Sequence, residues 1–174
     1  LGAAVVAAHR AADPTLEVTY RDLAAAPLPH LSGGSLAKSD PAEVEAAEQV
    51  MQEFLEADIV VVGAPMYNFA IPSTLKAWID RLAVAGKTFR YNEQGMAEGL
   101  AGGKQLVIAT SRGGFHQTDG ADFQEPYLRY MFGFMGITDV SFVRAEGLAV
   151  SPEQRAQAMA EAHASIDGDL ALAA

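Results

Sequence analysis

With 174 residues, half of them hydrophobic, the chain is long enough to form one domain around a sizeable core. It has no cysteine, which excludes disulfides, thiolate metal sites and cysteine nucleophiles, and its formal net charge of -10 opposes binding to a nucleic-acid duplex or an anionic membrane. With no run of about 18 apolar residues and no basic, then apolar leader, the chain reads as a soluble cytoplasmic protein.

Residues 1–12 are rich in alanine, with Val5, Val6 and His9, and predict a helix ended by Asp13-Pro14. Leu16, Val18 and Tyr20 alternate with Glu17 and Thr19, which predicts a short strand. Prolines and the run Ser32-Gly33-Gly34-Ser35 make residues 24–39 a long surface loop. Asp40-Pro41-Ala42-Glu43 then starts a helix: Asp40 caps it, Pro41 suits its first position, and Glu43 is placed to close a capping box. Val44, Ala47, Met51, Phe54 and Leu55 share the face expected to pack on a sheet.

Ile59-Val60-Val61-Val62 is β-branched throughout and bounded by Asp58 and Gly63, the pattern of a central parallel strand buried on both faces. Pro65 stops it. Met66, Tyr67, Asn68 and Phe69 follow, offering two aromatic rings and an amide at the carboxyl end of a strand, where open α/β sheets bind ligands. The next helix carries Leu75, Trp78, Ile79 and Leu82, with Trp78 expected in the core or an interface. Residues 87–95 alternate and turn, predicting a small hairpin arm.

Residues 105–110 predict another buried strand, ending in Ser111-Arg112-Gly113-Gly114. A pair of glycines is an ordinary tight turn, yet after a buried strand it also lets adjacent N–H groups face partial negative charge. Residues 123–135 predict an aromatic-rich helix and residues 139–144 a last strand. Ser151-Pro152-Glu153-Gln154 opens the closing helix, with Met159, Ile166 and Leu170 as core contacts. His9 and His163 lie on separate helices without carboxylates at ligand spacing, so no metal site is expected. Glu43, Glu45, Glu48 and Glu53 read as a solvated helix face. Alternating strands and helices imply a parallel sheet with right-handed crossovers in a three-layer α/β/α sandwich.

Four segments, spread in order and spacing over most of the chain, resemble the FMN-dependent NADH azoreductases, a quinone-reductase branch of the flavodoxin-like fold. They are Ala64-Pro65-Met66-Tyr67-Asn68-Phe69, Gly86-Lys87-Thr88-Phe89-Arg90-Tyr91, Thr110-Ser111-Arg112-Gly113-Gly114 with His116, and Phe132-Gly133-Phe134-Met135-Gly136-Ile137-Thr138-Asp139. The resemblance implies a homodimer holding FMN at the carboxyl edge of a doubly wound sheet. Met66, Tyr67, Asn68 and Phe69 would line the isoalloxazine ring, and Ser111, Arg112, Gly113 and Gly114 would hold its pyrimidine edge. His116 would reach flavin O2 and stabilise charge there, and Tyr91 and Phe134 would help form the substrate pocket.

The family's first strand and serine-rich phosphate loop should precede Leu1, so the expectation is a single domain lacking those pieces, and a chain starting at Leu1 is expected to hold FMN poorly. NADH or NADPH would donate two electrons as hydride, and a quinone or azo compound would accept them in a second half-reaction. Lys38 is one basic candidate for a 2′-phosphate. The alternative is a flavodoxin-like electron carrier, against which stand the aromatic arm and the cluster at Phe132 and Phe134. A third reading is a structural module that has lost its cofactor.

Overall fold

The computed structural model describes residues 1–116 and 120–173, with side chains described as far as residue 166. In chain order the elements are α1 (Gly2–Ala12), α2 (Gly33–Leu36), α3 (Pro41–Glu56), β1 (Ile59–Pro65), α4 (Ser73–Leu82), β2 (Phe89–Tyr91), β3 (Ala97–Gly99), β4 (Gln105–Ser111), α5 (Gln124–Phe134), β5 (Asp139–Ala145) and α6 (Pro152–Ala173). β1, β4 and β5 form a parallel sheet in that spatial order, and β2 pairs with β3 as a separate antiparallel hairpin.

Side chains alternate across the sheet, so each strand feeds two cores. Val62, Leu106, Ile108 and Phe142 pack on one face with Val50 and Phe54 of α3, Leu75, Ile79 and Leu82 of α4, and Leu128 and Phe132 of α5. Val107, Val143 and Ala145 pack on the other face with Val5 of α1 and Ala162 and Ile166 of α6. This is a three-layer flavodoxin-like sandwich. Trp78 meets the Phe54 ring edge-on at 6.1 Å against the first core, as the sequence suggested. Leu170, expected in the core, lies outside the described side chains.

Five expectations are corrected. β4, not β1, is the central strand of the three, and Ile59, Val60 and Val61 are half-buried rather than covered on both faces. Residues 16–20 show half-buried Leu16 and Val18 between exposed neighbours, but no strand pairs with them among the described residues; alternation without a partner backbone makes no ladder. The loop at residues 24–39 contains α2, whose Ser32 and Ser35 bond each other's backbone N–H in a capping box.

Asp40 caps α3 as expected, accepting from the N–H groups of Ala42 and Glu43. Glu43 does not turn back to complete a box; its carboxylate takes the guanidinium of buried Arg81 at 2.5 Å. The Ser35 hydroxyl and then Arg81 hold Glu43 below the usual carboxylate range. The same Arg81 donates to Pro29 O at 2.6 Å, which pins the long loop. Leu55, expected to be buried with Phe54, is 39% exposed.

The hairpin arm docks by backbone contact. A Cβ at Gly99 would lie 2.2 Å from Gly136 N, and Ala101 N donates to Met135 O at 2.9 Å. Gly136, at φ +96, turns the chain into β5 just there.

Candidate functional site

The three strands run in register from Ile59, Gln105 and Asp139 to Pro65, Ser111 and Ala145. Their following loops therefore leave the carboxyl edge of the sheet side by side. After β1, Met66 N donates to Ser111 O at 2.8 Å and extends the ladder by one bond. Tyr67 and Ala70 then exchange backbone hydrogen bonds of 2.9 and 3.1 Å around Asn68 and Phe69. Both central residues are left-handed, with φ of 48° and 67°. Asparagine tolerates this; a phenylalanine there is strained by roughly 1–3 kcal/mol. The turn displays its rings, Tyr67 at 62% and Phe69 at 49% exposure.

After β4 the backbone carbonyls all point one way. Leu148 N donates to Arg112 O, Ala149 N to Gly113 O and Gly147 N to Gly114 O, at 3.1, 3.0 and 2.9 Å. In a planar trans peptide the N–H that follows a carbonyl points opposite to it. The N–H groups of Gly113 and Gly114 thus face away from the loop after β5, and neither has a hydrogen-bond partner among the described residues. A Cβ on Gly114 would press on the movable His116 ring, 3.1 Å from its Nε2, and one on Gly113 would make an ordinary contact with Ala149 at 3.4 Å. The His116 ring meets the Phe69 ring edge-on at 5.5 Å, which brings the loops after β1 and β4 together.

Arg112 behaves differently from its neighbours. Its side chain is fully buried and turns into the protein, donating from Nη1 to Glu146 at 2.8 Å and from Nη2 to Asp122 at 2.9 Å and Glu125 at 2.8 Å. Its backbone N–H is bonded to Ala145 O. What this segment offers a ligand is therefore the backbone of Gly113 and Gly114, while the Arg112 guanidinium is turned inward. Arg144 grips Glu125 with two bonds of 2.7 Å, and that carboxylate raises the guanidinium's pKa still further. Asp122 also accepts from the N–H groups of Gln124 and Glu125, capping α5, while Gln124 Nε2 donates to Ala64 O at 2.7 Å. Sequence reasoning missed all four acidic and amide partners, because nothing in their spacing marks them as ligands of one arginine or one carbonyl.

Tyr91 and Phe134 are not brought to this edge. α5 starts beside Ala64 and has 11 residues, so its far end lies about 15 Å away. Phe134 sits there against Phe89, ring centroids 4.5 Å apart, and Phe89 meets Tyr91 at 5.7 Å. Within one chain the arm and the strand-end loops are separate surfaces.

A family model described as flavodoxin-like fold matches residues 1–170. The chain is 61% identical over 166 residues to the FMN-dependent NADH:quinone oxidoreductase of Xanthomonas oryzae pv. oryzae, covering 95% of this chain and 85% of that one. It is 59% identical over 173 residues to FMN-dependent NADH:quinone oxidoreductase 1 of Xanthomonas axonopodis pv. citri, covering 99% and 89%. Among solved structures, an azoreductase from Bacillus anthracis str. Sterne superposes with a TM-score of 0.83 at 29% identity, covering 95% of this chain and 88% of that one. An FMN-dependent NADH-azoreductase from Bacillus anthracis str. Ames Ancestor, in complex with FMN, gives 0.81 at 25%, covering 99% and 91%. The strand-end geometry and these likenesses agree, and the chain belongs to the FMN-dependent NADH:quinone oxidoreductases of the flavodoxin-like fold.

Proposed function

We propose that this chain is an FMN-dependent oxidoreductase that takes two electrons from NADH and delivers them to quinones or azo compounds, and that it works as a cytoplasmic homodimer. The observation that carries the reading is the pair of outward N–H groups on Gly113 and Gly114, set beside the displayed rings of Tyr67 and Phe69. A flavin fits that arrangement: its ring is flat, and its pyrimidine edge presents acceptors that two adjacent backbone donors can bond. When bound, FMN supplies the hydride-accepting and hydride-donating centre that no side chain here provides.

The chain's own part is to hold and to polarise. Met66, Tyr67, Asn68 and Phe69 line the flat ring, and the hydrogen-bonded turn fixes their backbone. Gly113 and Gly114 bond the pyrimidine edge, with His116 beside them as a further donor; such preset donors stabilise negative charge where it develops. NADH and the acceptor would each have to reach the bound flavin, and a wall beside it would exclude water. Tyr91 and Phe134 would supply this wall from the second subunit, since within one chain they lie about a helix length from the strand ends. An electron carrier has no need of such an arm, and the relatives named above are all oxidoreductases.

Protein purified from the complete reading frame should be yellow, release FMN on denaturation, and oxidise NADH steadily only when a quinone is added. A colourless protein, or a yellow one that cannot turn over NADH with any quinone, would refute the reading. Sedimentation should show a dimer at assay concentrations; an active monomer would remove the second subunit from the site.

A further inference from the structure

We infer that Arg112 is a positioning residue, which never touches the cofactor but holds the Gly113 and Gly114 N–H groups in place through Asp122, Glu125 and Glu146. The inference rests on the proposed flavin site and reassigns the residue in it that the sequence had placed in direct contact.

The geometry argues for it from three sides. Arg112 immediately precedes Gly113, so whatever fixes its Cα anchors one end of the peptide that carries the first donor, and the bond from Leu148 N to Arg112 O then sets that peptide's plane. Its guanidinium, with no exposed surface, bonds carboxylates from three segments: Asp122 ahead of α5, Glu125 in the first turn of α5, and Glu146 after β5. Glu146 Oε1 also accepts from the His116 N–H at 3.5 Å, so a single carboxylate ties both ends of the loop between Arg112 and His116. The three carbonyl bonds to residues 147–149 then lock the plane of each intervening peptide.

Charge and shape explain why an arginine stands here. Buried ion networks are a weak source of stability compared with apolar packing, and fixing one arrangement is the role left for this one to fill. A planar fork reaches three acids from two nitrogens at set angles, whereas a lysine presents one point charge on a flexible stem. The acids outnumber the arginines, since Arg112 and Arg144 face Asp122, Glu125 and Glu146. Loss of Arg112 would take the shared cation from half-buried Asp122 and Glu146 and leave buried Glu125 with Arg144 alone.

The test uses wild type, Arg112→Lys and Glu146→Asp, each expressed from the complete reading frame; both variants keep the local charge, so a shift reports position rather than field. Each apoprotein is titrated with FMN by fluorescence quenching, the two-electron midpoint potential of the bound FMN is measured, and folding is checked by circular dichroism. We expect both variants to bind FMN about tenfold or more weakly, the worth of a misplaced hydrogen bond. The potential should move to more negative values, because misaimed donors stabilise the reduced edge less. A role confined to fold stability would lower the melting temperature and leave the potential in place. Folded variants with wild-type affinity and potential overturn the inference. If Arg112→Lys does not fold, Glu146→Asp decides on the same two readings. Failure of wild type itself to bind FMN would instead sink the proposed site, and this inference with it.

Discussion

At His116 the consequence of a substitution depends on when charge develops. Two-electron reduction makes the pyrimidine edge of a flavin negative, so a donor there bonds the reduced cofactor more strongly than the oxidised one, and differential stabilisation of this kind enters rate and potential more than affinity. His116→Ala is therefore expected to lower turnover and make the midpoint potential more negative, by at most roughly 1.5–3 kcal/mol, because the Gly113 and Gly114 donors remain. An unmoved potential would reduce His116 to a packing partner of Phe69, which its edge-on contact already makes it. Tyr127 presents the opposite case, a buried hydroxyl without a hydrogen-bond partner. Burial first, and the Asp80 charge second, push its ionisation up to about 12 from an ordinary 10.0. The folded chain thus holds this proton more tightly than the unfolded chain does, so stability is whole below pH 10 and declines as pH rises toward 12. Tyr127→Phe should gain about 1 kcal/mol at neutral pH by removing an unsatisfied group, and should lack the alkaline decline. Urea unfolding at neutral pH and above pH 10 reads both effects; a clear loss at neutral pH would mean the hydroxyl is satisfied after all.

Among the elements, the hairpin arm depends on the close crossing of Gly99 and Gly136. A methyl at Gly99 would sit 2.2, 2.3 and 2.5 Å from backbone atoms of Gly136 and Met135, which cannot yield as a side-chain tip could. Gly99→Ala should cost about 3 kcal/mol or more if the arm stays docked, or release it at smaller cost. Released, the arm would raise the quinone KM with little effect on FMN binding; unchanged melting temperature and KM would sink this account. Elements with a local cause were legible in the sequence. Asp40-Pro41 and Ser151-Pro152 start α3 and α6 as read, with Ser151 Oγ accepting from Gln154 N, and the apolar run from Leu106 to Ala109 is a fully buried strand. Elements whose cause lies elsewhere in the chain were not. Residues 16–20 have a strand's pattern and no partner. Glu43 meets Arg81, which is 38 positions away, and Arg112 meets acids 10, 13 and 34 positions on. The site divides in the same way: Gly113, Gly114 and the displayed rings could be found from a strand end followed by a loop, whereas the inward turn of Arg112 required the fold. The capping box of α2 was local and still went unread, because two glycines argue against a helix.

For the whole molecule, charge makes it measurable whether the strand-end loops of one chain and the arm of another meet as proposed. Each chain carries a formal charge of -10, so two copies repel while their exposed aromatic rings favour contact. Salt screens repulsion between exposed charges over a Debye length of about 30 Å at 0.01 M and about 8 Å at 0.15 M, but it does not weaken apolar burial. The proposed dimer should therefore dissociate more readily at low ionic strength and tighten as salt is added, the reverse of an interface held mainly by ion pairs. Activity should divide along the same line. In the proposed site the strand-end loops of one chain hold FMN, so its binding should change little as the dimer loosens. Quinone reduction, which on this proposal needs the arm of the second subunit, should fall with the dimer fraction. Sedimentation velocity at the two salt concentrations, run beside FMN titration and quinone-dependent NADH oxidation at the same protein concentration, checks all three. If turnover holds steady while the dimer dissociates, Tyr91 and Phe134 play no part across the interface, and Tyr91→Ala should then leave the quinone KM unchanged.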